Sequence, residues 1–214
     1  LSDSFAGRDP NATTSGSSAG SSCLCKDCTK LDVSSDDGAP SLGNAPIVLS
    51  GPVSLGTSFD LSKTFLLHSN PNATKSIFLD FDGYSLSSTP WENGGALSLG
   101  SFYSSLDNNA LAEIQRIWQR VAEDFAPFDI NVTTQDPGSD NLRKSGAGDS
   151  RWGIRVAFTS NVNLLTGRAI TNAGGGGTAY YNSFNWATDD VALVFNRGDY
   201  SAAATASHEV GHTL

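Results

Sequence analysis

From residue 76 onward the apolar positions alternate between two periods, two and about three and a half. Each switch marks a change of element. Ile77-Phe78-Leu79-Asp80-Phe81-Asp82 reads as a strand ended by Gly83. A looser stretch follows, Ser85 to Ser105, broken by Pro90 and the adjacent Gly94 and Gly95. Leu111, Ile114, Trp118, Val121 and Phe125 then form a stripe at helical spacing, with Asp107 or Asn108 as cap and Pro127 as stop. Phe128, Ile130 and Val132 alternate as a second strand. Asp136 to Asp149 is a polar loop, and Trp152 to Thr159 is a third strand with Ile154, Val156 and Phe158 on one face. Beyond a glycine block, Gly174 to Gly177, the run Thr178-Ala179-Tyr180-Tyr181 fits a short strand. Val191 to Phe195 is continuously apolar, as in a strand buried on both faces. Ser201 to Leu214 is a final helix, rich in Ala before His208. Strands alternating with helices predict a layered α/β domain, bordering on α+β, with a twisted and mainly parallel sheet.

The first 64 residues lack such periodicity. Asn11 to Ser22 is Ser, Thr, Gly and Ala, and Ser34 to Pro46 is rich in Asp, Gly and Pro. Such composition buries too little apolar surface to offset chain entropy. The expected organisation is a tail or propeptide remnant over 1–64 and a catalytic-type domain over 65–214. The chain begins at Leu1 and reads as a piece of a longer product. Its 214 residues carry a formal charge of −9, which disfavours nucleic acid as a partner. No membrane segment is visible. Sparse charge beside abundant Gly, Ser, Thr and Asn fits a secreted protein. All three cysteines, Cys23, Cys25 and Cys28, lie in the tail, so no disulfide framework supports the domain.

The chemistry concentrates at the end. In His208-Glu209-Val210-Gly211-His212 the two histidines are four apart, on one helix face. They can offer two imidazoles to one Zn2+, and Glu209 can act on a water beside it as general base. A catalytic zinc keeps three protein ligands and an open position. One ligand must therefore lie beyond Leu214, and the chain as it stands is expected to be inactive.

With Gly177-Thr178-Ala179-Tyr180-Tyr181-Asn182 just before the last strand, the order of elements resembles the N-terminal subdomain of a metzincin zinc metalloendopeptidase. The family's longer signature is H-E-x-x-H-x-x-G-x-x-H. The chain matches it through His212 and stops before the glycine position, so the third histidine would fall four residues past the end. The absence of Met is consistent with the family's Met-turn lying further on. Leu67-His68-Ser69-Asn70-Pro71 with Phe78-Leu79-Asp80-Phe81-Asp82-Gly83, and Val121 to Phe128, resemble bacterial secreted proteins of this type. The resemblance implies a five-stranded sheet with an antiparallel edge strand, packed on a long helix and on the zinc helix. It implies a monomer that hydrolyses a protein or peptide substrate. The substrate backbone would add to the edge strand at Gly177, Thr178, Ala179 and Tyr180. Two alternatives stay open: a zinc peptidase whose third ligand is a glutamate on a later helix, and a non-catalytic surface or adhesion protein with a degenerate domain of this type.

Other residues have competing readings. Asp80-Phe81-Asp82-Gly83 resembles the nucleophile motif of haloacid-dehalogenase-type phosphatases, though Tyr84 stands where that family has Thr. The same aspartates fit a Ca2+ site at a strand end, or a solvated strand terminus. The cysteines fit a thiolate that silences the zinc from a propeptide, a small metal site, or a pair with one spare. His68 reads as a surface or packing residue. Asn11, Asn72 and Asn131 open Asn-x-Thr sequons, which matter only in a glycosylating host. The glycine block is no phosphate loop, since no Lys-Ser/Thr follows it.

Overall fold

A computed structural model describes the backbone at Ser22–Cys23 and the chain over 59–171 and 175–214. Strands β2 (Lys75–Asp80), β5 (Ile130–Thr133), β6 (Trp152–Phe158) and β8 (Val191–Val194) pair in parallel, in the order β8-β6-β2-β5. Strand β7 (Gly177–Tyr180) joins β8 antiparallel, with Gly177 opposite Val194. That is the predicted α/β class: five strands, mostly parallel, with two helices. Strands β2 and β8 are buried on both faces over most of their length, which is why their sequences are apolar with little alternation, whereas β5 is as buried but alternates, with Asn131 and Thr133 polar.

One face carries Ile77, Leu79, Ile154, Val156 and Phe158 into the main core, against α1 (Asn108–Asp124) and α2 (Asp199–Thr213). Asp107 caps α1 as expected, its Oδ1 accepting from Ala110 N at 2.9 Å. The buried stripe includes Ile114 and Val121 as predicted, but Ile117 takes the centre while Trp118 is half-buried. Trp118 lies off the stripe because its Nε1 donates to Val132 O at 2.9 Å and anchors α1 to β5.

The opposite face is covered by the stretch between residues 83 and 99, while Phe102 beyond it turns into the main core. The stretch folds into a hairpin of β3 (Ser85–Leu86) and β4 (Leu97–Ser98). Leu97 and Leu99 pack with Ala157, Val191 and Leu193 in a second apolar cluster. Trp91 Nε1 donates to Val191 O at 3.0 Å and holds the hairpin to the sheet.

Two expectations change. Ordered packing starts before residue 65: Asp60 caps a short turn at Leu61–Lys63, and Thr64 is buried. Gln115 Nε2 donates to Asp60 O and to Thr64 Oγ1, both at 2.8 Å, which is how a buried glutamine on α1 is satisfied. Second, β7 is not the sheet's edge. Strand β1 (Ser22–Cys23), from the expected tail, pairs antiparallel on its outer side, Ser22 opposite Tyr180 and Cys23 opposite Ala179. Among the described residues no helix is long and apolar enough to cross a membrane.

Candidate functional site

Helix α2 can lie close to the sheet because its inner face is small: Ala202, Ala203 and Ala206 are all fully buried. Polar contacts fix it against α1, with Arg116 Nε 2.7 Å from Asp199 Oδ2 and Ser207 Oγ donating to Asp124 Oδ2 at 2.6 Å. The last carbonyls of a helix have no partner within it. Here the loop after β7 supplies two: Asn182 N donates to His212 O and Phe184 N to Thr213 O, each at 3.0 Å. Asn182 takes φ 55°, a left-handed conformation that Asn tolerates better than most residues.

This framework sets the histidines. His208 is exposed and His212 half-buried, and their Nε2 atoms converge to 2.9 Å. The Tyr181 and His212 rings pack edge to face, centroids 5.1 Å apart. With metal–nitrogen distances of about 2.0–2.1 Å, nitrogens this close subtend roughly 90° at a shared ion. A small opening of the pair reaches the tetrahedral angle. Burial, then the charge of His208, hold His212 below the ordinary imidazole value, toward the neutral form that ligates metal. The residue types and their convergence fit zinc as two of its ligands. Among the described residues no third His, Cys, Asp or Glu joins them.

Glu209, next to His208 in the chain, is wholly buried. Burial pushes its carboxyl up to about 8. It lies under β7: a Cβ built on Gly177 would stand 2.9 Å from Glu209 Cγ, 2.6 Å from Thr205 Cγ2 and 2.6 Å from Leu193 O. Gly177 is therefore a packing requirement for the carboxylate's position. Thr178 and Ala179 are also buried, and Tyr180 is half-buried with its ring 4.3 Å from that of Trp91. The four residues expected to meet a substrate thus offer it backbone rather than side chains. At Ala179 and Tyr180 that backbone already pairs with β1.

Elsewhere the placements differ. Asp80 is no solvated terminus; it is buried, with Arg155 Nη1 2.7 Å from its Oδ2, while Asp82 is exposed. Burial first, then the Asp82 carboxyl, push Asp80 up to about 7 against the pull of Arg155. His68, read as a surface or packing residue, is half-buried and bridges two side chains, 2.8 Å from Gln135 Oε1 and 2.9 Å from Asn131 Nδ2. Asn131 is buried in β5, which removes it as an accessible sequon; Asn72 is exposed. Asn11, Cys25, Cys28 and Gly174 lie outside the described residues, and Cys23 is described in backbone alone.

Sequence reasoning missed the centre of the second face. Arg155, buried in the middle of β6, also holds Asp189, with Nη2 2.9 Å from Oδ2. Tyr84 OH and Ser139 Oγ donate to the same oxygen at 2.9 and 2.6 Å. The signal was present: an arginine between Ile154 and Val156 in an apolar strand must find buried partners, and Asp189-Asp190 directly precedes another such strand. What fold and site define is a mixed α/β domain bearing a convergent histidine pair on its last helix. No family model, curated protein or solved structure matches the chain.

Proposed function

We propose that the chain carries the metal-binding helix of a zinc-dependent endopeptidase of the metzincin type. The observation that carries this reading is the 2.9 Å approach of His208 Nε2 and His212 Nε2 on the face of α2 beside Tyr181. Glu209, the next residue on that helix, supports it from beneath Gly177. Zinc, when bound, supplies Lewis acidity toward water and toward a peptide carbonyl. Glu209 takes the proton from the attacking water on its carboxylate and delivers it to the leaving amine. Its ionised form, opposed by burial, is favoured beside a dication. The peptide lies along β7 by strand addition, which requires Ser22–Cys23 to leave that backbone. The reading also requires a third ligand from outside the described residues. A low content of charged residues, 16%, is in keeping with an extracellular protein.

The test is a zinc titration of the chain and of His208→Ala, His212→Ala and Glu209→Gln variants, with casein cleavage followed in the full-length protein. Zinc binding disappears with either histidine and survives Glu209→Gln, while cleavage falls by about a hundredfold or more in Glu209→Gln. Undiminished cleavage by that variant refutes the mechanism.

A further inference from the structure

A cavity of about 620 Å³ opens on the sheet face away from α2, between the β3–β4 hairpin and the loop that leads into β8. Tyr84, Thr89, Ser139, Trp186, Asp189 and Asp190 line it. Asp189 is already neutralised by Arg155. Arg143, at the wall, is paired with Asp140 at 2.7 Å, and both side chains are well exposed. Asp190 differs. It is 5% exposed, and its Oδ1 accepts from Val191 N at 2.9 Å and from Thr89 Oγ1 at 3.1 Å. Its Oδ2 is buried with no hydrogen-bond partner. A buried carboxylate oxygen without a donor is costly, and a built site is one reason for a protein to keep it.

We propose that this cavity binds a primary alkylammonium group, as a lysine side chain or as a free amine, on Asp190 Oδ2. The geometry selects an ammonium over a guanidinium. A guanidinium fork matches two carboxylate oxygens, and here Oδ1 is already committed to Val191 N and Thr89 Oγ1, which leaves Oδ2 alone without a donor. An ammonium is a compact charge with three donors: one meets Oδ2, and the hydroxyl oxygens of Thr89 and Ser139 can accept the others. Trp186 offers an aromatic surface to the methylene stem and to the cation. The cavity adjoins the end of β7: the Trp186 ring lies 5.5 Å from that of Tyr180. The binding itself does not depend on proteolysis. Delivery of the lysine by a peptide lying on β7 rests on the reading proposed above.

The experiment uses the whole chain with EDTA present, so that the histidine pair plays no part. Calorimetric titrations compare n-butylamine, Nα-acetyl-lysine methylamide, its norleucine and arginine analogues, and the peptide acetyl-Ala-Lys-Ala-amide. The lysine derivative binds about tenfold or more tighter than the norleucine and arginine analogues. Asp190→Asn loses a similar factor while its melting temperature holds or rises, because the amide oxygen can still accept from Val191 N and Thr89 Oγ1 while a buried charge is removed. Trp186→Ala, at a half-buried position, gives a second reading that does not alter Asp190. Equal binding of lysine and norleucine, or full binding by Asp190→Asn, overturns the site. Tighter binding of the tripeptide than of butylamine supports a peptide-borne lysine. Equal binding assigns the site to a free amine and overturns the link to β7, without touching the zinc reading.

Discussion

Arg155→Met removes the one cation that two buried carboxylates share. Arg155 is 3% exposed, with Asp80 Oδ2 at 2.7 Å and Asp189 Oδ2 at 2.9 Å. Its guanidinium also lies over the Tyr84 ring, 3.7 Å from the centroid. Methionine refills most of the volume, so the loss is electrostatic rather than a cavity. Removing one partner of a buried pair costs about 3–5 kcal/mol, because the charge left behind is uncompensated. The two aspartates are not left equal. Asp189 keeps its bonds from Tyr84 and Ser139. Asp80 keeps only the Asp82 backbone N–H at 3.2 Å and the neighbouring Asp82 carboxyl. Losing Arg155 therefore pushes Asp80 further up, and the folded variant holds its proton to higher pH. Urea unfolding at pH 5.5 and 7.5 reads this directly: the variant is less stable at both, and the deficit is larger at pH 7.5, where keeping or losing that proton costs most. Adding Asp80→Asn and Asp189→Asn recovers most of the loss. A variant as stable as the parent, or a deficit that shrinks as pH rises, would refute the account of a shared buried counterion.

Three other outcomes are expected. In a background of Glu209→Gln and Asp190→Asn, which removes the two other carboxyls that burial pushes up, stability falls as pH rises from about 4 to about 7 and then levels. Between those values the unfolded chain has released the Asp80 proton while the folded chain, whose Asp80 lies at about 7, retains it. The fall is at most about 4 kcal/mol, and Asp80→Asn abolishes it in the same unfolding series. Gly177→Ala drives a methyl into Leu193 O, Thr205 Cγ2 and Glu209 Cγ. It lowers stability by about 1–3 kcal/mol, and Thr205→Ser in the same chain restores part of the loss; an unchanged melting temperature contradicts the close packing. Removing residues 1–58 uncovers the outer side of β7. Binding of an extended peptide, followed by fluorescence anisotropy, then strengthens, whereas equal affinity in the two forms shows that Ser22–Cys23 does not compete.

The residues that sequence made legible are those whose partners are near in the chain. His208 and His212 are one turn apart, so helical periodicity alone brings their rings together. The Asp107 cap needed only Ala110, three residues on. Strand β8 was visible because burial on both faces leaves a dense apolar run, and β5 and β6 because their apolar residues alternate. The hairpin at Ser85–Leu86 and Leu97–Ser98 was not, since its order comes from Trp91 donating to Val191 O across the sheet. The early start of the fold was hidden for the same reason: Asp60 and Thr64 are held by Gln115, and no local pattern announces it. Strand β1 is two residues in a Ser- and Cys-bearing stretch, with a partner far along the chain. The amine-binding cavity is the extreme case, because its walls come from residues near 84–94, 139–143 and 186–190. Arg155 ties these segments together through Asp189, Tyr84 and Ser139. The two sites therefore fail differently: Arg155→Met weakens amine binding through its wall, while zinc binding by the histidines of α2 survives. One variant assayed for both ligands tests whether the two faces of the sheet are independent.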